Sequence, residues 1–241
     1  MTSEQGQAGV RPACRGRRTA TYGVPMPDRA QRRDVARNRE RLLATAEVYF
    51  GKRSLDAPLQ GLAKAAGLGE ATLFRHFPSH EALVRALYDR LVERIDHVVT
   101  RATATEDPWL AVEVFLRGCI EIVVDSPAVP EIMRRQAVND PSYTPGDAWV
   151  EPIRALVERA IAAGVLRPDV RGSDLVTSAQ MFWGIARVPE PGRELRAHRH
   201  LQLLLDGLRA NPAHGPLPSR PLGAGEVHRL LHGVGDSTDD D

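Results

Sequence analysis

Side chains able to do chemistry crowd into one short run, Gly69-Glu70-Ala71-Thr72-Leu73-Phe74-Arg75-His76-Phe77. A carboxylate, a hydroxyl, a guanidinium and an imidazole stand there side by side. Such groups, carried on a short helix laid in the major groove, are suited to contact base edges and phosphates. They are not suited to catalysis, because no nucleophile, base and orienting group come together in the sequence. His76 and His80 are spaced as metal ligands on an uninterrupted helix would be, but Pro78 lies between them. His198 and His200 would point to different faces of one helix. Gly67-Leu68-Gly69 lacks the preceding strand and the third glycine of a dinucleotide loop. Two cysteines, Cys14 and Cys119, provide neither a disulfide framework nor a Cys₄ zinc site. No metal, cofactor or enzymatic activity is expected.

The run needs a frame that turns it outward. Leu59, Leu62, Ala63, Leu68, Leu73 and Phe77 are spaced to make a small core between two short helices, at about 59–65 and 70–77. Gly67 falls where a left-handed residue is often required. Asp56 and Pro58 offer a start for the first helix, and Pro78 stops the second. The pattern is that of a helix-turn-helix, and a plain helical hairpin would use the same residues. Before it, a helix over about 34–50 carries Val35, Leu42, Leu43, Ala46, Tyr49 and Phe50 as an apolar stripe. After it, Ser79 and Glu81 suit the first turn of a long helix reaching about Thr100, with Leu83, Leu87, Leu91 and Ile95 on one face. Further helices are expected at about 108–124, 128–139, 147–163, 173–187 and 192–209, separated by Pro- and Gly-bearing breaks. The reading is an all-α fold of about nine helices, with nothing that alternates as a strand does.

The 241 residues are 42% hydrophobic and 26% charged, a composition that builds one or two soluble domains. No apolar run approaches the roughly 20 residues of a membrane span. No secretory signal is recognisable, so a reducing, cytoplasmic setting without a membrane partner is expected. Charge is uneven. Residues 1–90 hold 16 Lys and Arg against 9 Asp and Glu, and the remainder holds 16 against 22. A basic front on an acidic body places phosphate-seeking charge on one module; an arginine-rich tail would give the same imbalance. Residues 1–30 read as a disordered basic leader and 211–241 as a disordered polar tail, interrupted by an apolar patch at 227–231. The domains then fall at 31–85 and 86–210.

From Leu42 to Leu83 the sequence resembles the DNA-binding head of the tetracycline-repressor (TetR) family of bacterial regulators. The matching residues are Leu43, Ala46 and Phe50, then Leu62-Ala63 and Ala66-Gly67-Leu68. They continue with Thr72-Leu73-Phe74, His76-Phe77 and Ser79-His80-Glu81-Ala82-Leu83. The resemblance implies that Gly69, Glu70, Ala71 and Arg75 face the bases, with Arg75 bidentate to guanine. Glu70 would accept from cytosine or simply complement its helix dipole. Thr72 and His76 would bond phosphates, and Lys64 and arginines 37, 39 and 41 would add sequence-independent attraction. Phe74 stands where the family usually has Tyr, so a hydroxyl contact is missing. His80 stands where it usually has Lys, making that contact weaker and pH-sensitive.

The resemblance further implies that the body binds a small-molecule effector and pairs two subunits through its last two helices. Leu175, Ala179, Phe182, Leu201, Leu204, Leu205 and Leu208, with Trp183, would be the apolar face of that homodimer, although they could equally close the monomer's own core. Trp109, Phe115, Cys119, Met133, Trp149 and Trp183 are the candidate pocket residues, since aromatic and Met side chains line adaptable cavities. Cys119 reads as a buried, unreactive thiol. The function expected is a repressor that occupies a palindromic double-stranded operator and is released by a small apolar ligand. The alternative is a helical-bundle enzyme or ligand-binding protein whose helix-turn-helix only packs.

Overall fold

The computed structural model describes residues 29–223 and 225–227. Nearly all of the expected leader, and residues 228–231 of the apolar patch, lie outside them. Among the described residues the named α-helices, in order, are α1 Arg29–Gly51, α2 Leu59–Ala65, α3 Glu70–His76, α4 His80–Ala104, α5 Pro108–Asp125, α6 Val129–Asn139, α7 Asp147–Ala162, α8 Gly172–Met181 and α9 Gly192–Leu208, with residues 225–227 also helical. Among the described residues there is no strand, only an isolated antiparallel bridge between Leu166 and Arg209.

Local chemistry sets most boundaries. The Ser79 hydroxyl accepts from Ala82 N at 3.1 Å and opens α4. Asp107 does the same for α5, accepting from Leu110 N at 2.7 Å, with Pro108 in the first turn, where its missing N–H matters least. Gly67 and Gly164 adopt φ of +63° and +69°, the left-handed conformation that ends α2 and α7. Two expectations need correction. Asp56 does not cap α2, which begins after Pro58 without a side-chain cap. The single helix expected over 173–187 is α8 followed by a 3₁₀ turn, Phe182–Arg187, where Gly184 weakens α-helical propensity.

Two cores are stacked along α4. The first joins Leu42, Leu43 and Phe50 of α1 to Leu62, Leu73 and Phe77, and it is closed by Leu83, Leu87 and Tyr88 of α4. Val35, expected in this stripe, is exposed. The second core fills the space between the far half of α4 and α5, α7, α8 and α9. Helix α6 crosses the division: Ala128, just before it, and Ile132 sit in the first core, whereas Val129 sits in the second.

The chain beyond α9 corrects the expectation of a structureless tail, as far as it is described. Leu217 N donates to Asp169 at 2.7 Å, and Arg167 donates to Gly215 O at 2.9 Å. Arg220 pairs with Glu226, and Val227 is buried. Composition suggested a free coil because few residues here are apolar. Two of those few, Leu222 and Val227, dock, while Leu217 stays exposed.

Candidate nucleic-acid interface

Helix α3 has only seven residues, too few to stand alone in water. It is held by Leu73 and Phe77 in the first core and by the turn before it. At that turn Gly67 N donates to Lys64 O and Leu68 N to Ala63 O, both at 3.0 Å. A Cβ at Gly67 would lie 2.7 Å from the Arg41 guanidinium as well as in a strained backbone region. Gly69 begins α3: its carbonyl accepts from Thr72 N and Leu73 N, and its Cα faces open space.

Burial then separates the candidate contacts. Lys64, Gly69, Glu70, Ala71, Phe74 and Arg75 are exposed, and Thr72 and His76 are half-buried at the flanks. Glu70, Ala71, Phe74 and Arg75 form one outward stripe, as residues four apart on a helix must. Eight of the nine residues singled out for DNA thus lie exposed or half-buried on α2, on α3 or in the turn between them. The ninth, His80, is placed differently. Its ring meets Phe50 edge-on at 6.1 Å, and Nε2 is enclosed without a partner. Like Thr72 and His76 it is half-buried, and its ring packs on the head core with Nε2 closed off.

Charge around the stripe is unspent. Arg75, Arg39, Arg41 and Lys64 have no carboxylate within 4.0 Å among the described residues. Other head cations are engaged: Arg37 with Asp34, Arg90 with Glu40 and Glu47, and Arg53 over the Tyr49 ring. Arg39 lies over the Phe77 ring at 5.4 Å and faces the flank of α3. Burial, reinforced by Arg39 and Arg75, holds the His76 imidazole below its ordinary value of 6.5.

A second feature lies in the body, a cavity of about 430 Å³. Phe115, Cys119, Met133, Trp149 and Trp183 line it as expected. Trp109 does not: its ring is covered by the Arg209 guanidinium at 4.0 Å, where α5 begins. Burial pushes the Cys119 thiol up to about 12, so it is no thiolate. Sequence reasoning missed Gln180, the docked Leu222 and Val227, and the inward groups of α4, Tyr88, Leu91 and Ile95. The Leu91 and Ile95 stripe was visible as a helix face, but not what it faced.

The seven residues expected at a dimer interface divide as well. Leu175, Phe182, Leu201, Leu205 and Leu208 are buried in the chain's own second core. Ala179 lines the cavity and Leu204 packs against the core. The apolar residues left outward by the last two helices are Met181, Leu195 and Leu203, 78%, 68% and 60% exposed.

Comparison with known proteins agrees with this geometry. Residues 42–87 match the model for bacterial regulatory proteins of the tetR family, and residues 107–210 match the SbtR-like transcriptional regulator C-terminal domain. The crystal structure of the TetR transcriptional regulator SCO0520 from Streptomyces coelicolor is 32% identical, with a TM-score of 0.54 over 72% of this chain and 99% of that one. The chain belongs to the tetR family.

Members are transcriptional regulators and not enzymes, which decides against the helical-bundle enzyme. Similarity to this tetR-family chain extends to the HTH-type transcriptional regulator EthR of Mycolicibacterium smegmatis, 28% identical over 153 residues, 58% of this chain and 69% of EthR. It extends also to the nucleoid occlusion factor SlmA of Glaesserella parasuis, 28% identical over 105 residues, 42% of this chain. The match spans 52% of SlmA's length. No helix among the described residues is long and apolar enough to cross a membrane.

Proposed function

We propose that this tetR-family regulator is a homodimeric, cytoplasmic repressor that occupies a palindromic operator and leaves it when a small ligand fills the body cavity. Arg75 reads guanine, with Glu70, Ala71 and Gly69 against the neighbouring bases. Thr72, His76, Lys64 and Arg39 hold phosphates. The observation that carries the regulatory part is the double role of Tyr88 and Met133. Both line the cavity, and both pack on the head core. A ligand that displaces them moves α4 and α6, on which α1 to α3 rest.

Two copies joined through the outward face of Met181, Leu195 and Leu203 would present two α3 helices to successive major grooves, about 34–36 Å apart. Coupling between ligand and operator is then reciprocal, and a typical value of about 1–3 kcal/mol gives about 5–150-fold release. The test is selection of duplexes from a random pool by the purified protein, followed by gel shift with and without ligand. The expected result is a near-palindrome with half-sites one turn apart, bound by a dimer. Selected sequences without two-fold symmetry, or binding by a monomer, would overturn it.

A further inference from the structure

The cavity's polar groups are unevenly distributed. Asp147, Arg154 and Arg171 stand at its rim, exposed to solvent. Each is occupied: Asp147 accepts from the Thr144 hydroxyl at 2.7 Å, and Arg154 is held between Glu151 and Glu158. Arg171 donates to the carbonyls of Pro168 and Val170 at 3.0 and 2.8 Å. The interior is lined by Leu91, Ile95, Phe115, Ile122, Trp183 and their neighbours. Its titratable groups are neutral at physiological pH, since burial pushes both the Tyr88 phenol and the Cys119 thiol up to about 12. A ligand carrying a charge into this space would leave it unpaired at considerable cost.

One enclosed donor of the lining has no partner. Gln180, on the last turn of α8, lines the cavity, and its Nε2 is enclosed with no hydrogen-bond partner. A buried amide N–H that bonds to nothing is unfavourable and rare in a folded protein. An acceptor supplied by a bound molecule would satisfy it once the amide turns toward the cavity.

We propose that the effector is a neutral, largely apolar molecule with one carbonyl or ether oxygen, and that Gln180 Nε2 donates to that oxygen. This rests on the reading of the cavity as the effector site and adds the ligand's chemical class. Ring and chain carbons fill the aromatic and aliphatic interior, and the single oxygen fixes their orientation. A pocket built to hydrogen-bond one group discriminates strongly against the analogue lacking it.

The test uses four probes of one shape: benzophenone, diphenylmethane, diphenylacetate and diphenylmethylamine, titrated calorimetrically into the full chain. The ketone should bind about tenfold more tightly than the hydrocarbon, and the anion and cation should bind more weakly than either. Gln180→Leu should erase the ketone's advantage and raise the thermal midpoint of the ligand-free protein, because the unpartnered amide is gone. Gln180→Met, flexible enough to refill the space, should behave alike.

Equal binding of ketone and hydrocarbon by the wild-type chain, or a Gln180→Leu variant that keeps the preference, would overturn the role of Gln180. Tightest binding of the anion or the cation would overturn the neutral class. Binding of none of the four would overturn the cavity itself as a ligand site. Gln180-dependent ketone binding that leaves operator affinity unchanged would uphold the ligand class and refute release by ligand.

Discussion

Arg135 of α6 donates to Asp56 at 2.6 Å across 79 residues of sequence, tying the loop between α1 and α2 to the helix that holds Met133 against the cavity. The contact matters because the α3 stripe and the cavity share no residue. Anything passing between them must travel through elements that touch both. Arg135 also holds the Asp56 carboxyl below its ordinary range.

Arg135→Ala should therefore leave ligand affinity and operator affinity, each measured alone, close to wild type, while reducing the factor by which ligand weakens operator binding. The pair is solvent-facing, and exposed ion pairs contribute little to stability, so the thermal midpoint should hardly move. Because the Asp56 carboxyl is depressed in the fold, its contribution is present above its unfolded value of about 3.8 and is lost as pH falls through the lower folded value. Coupling measured at neutral pH therefore contains all of it. A variant with unaltered coupling would show that the signal runs through α4 alone.

Arg75 lies on the outward stripe of α3, with no carboxylate within 4.0 Å among the described residues. Arg75→Ala should weaken operator binding by roughly 1–3 kcal/mol and relax preference at one base pair of each half-site. Parallel measurement on a matched set of single-base operator variants checks this. A uniform loss across the set would make Arg75 a phosphate contact instead.

The head was legible in the sequence because its boundaries are written in backbone chemistry: Gly67 for the left-handed turn, Pro78 for the stop, Ser79 for the cap. Most cavity-lining aromatic residues were legible because large apolar groups on amphipathic helices must face one another. Helix α9 shows where such reading ends. Leu201, Leu205 and Leu208 share one face and Leu195 and Leu203 another. Periodicity reveals both faces but not which one its own chain covers. The enclosure of His80 Nε2 was not legible, because a motif position does not report the ring of Phe50 beside it. Gln180 was missed because an isolated polar residue on a helix gives no sign of being enclosed.

His76 should make the head acid-sensitive. Its pKa is lowered in the fold, chiefly by burial and then by Arg39 and Arg75. The neutral imidazole thus contributes stability that is fully present above the unfolded value of 6.5 and is lost as pH falls toward the folded one. Thermal midpoints of wild type and His76→Gln, compared above and below pH 6.5, should diverge on the acid side, with the wild type falling further. Parallel curves would place the acid sensitivity elsewhere.

The outward face of α8 and α9 separates association from folding. Leu203→Glu and Leu195→Glu place charge on residues that are mostly exposed in the single chain, so each variant should fold with a normal helical spectrum. If this face joins two copies, the same variants should sediment as monomers and bind an operator half-site far more weakly than wild type binds the whole. Leu201→Glu, two residues from Leu203 but buried, should instead lower the thermal midpoint severely, because an unpaired charge is forced into the second core. Dimers persisting in both surface variants would move the interface to another face.

The docked segment after α9 gives the cavity part of its wall. Leu222 and Val227 supply the apolar contact, while Asp169 anchors Leu217 N and is bonded by Arg167 at 3.0 Å. These bonds hold the Asp169 carboxyl at about 2, so the anchor stays charged across the physiological range. A wall that, among the described residues, rests on Leu222, Val227 and surface bonds to Asp169 and Arg167 can open without unfolding the body, whose core lies in α4, α5, α7, α8 and α9. Val227→Ala should thus speed dissociation of a bound probe several-fold and leave the global thermal midpoint nearly unchanged, whereas Phe115→Ala should depress both affinity and stability. Stopped-flow release of benzophenone, followed through the emission of Trp149 and Trp183, distinguishes the two. Release at the wild-type rate from Val227→Ala would mean that ligands leave through the rim beside Arg171 and that the segment is only a buttress.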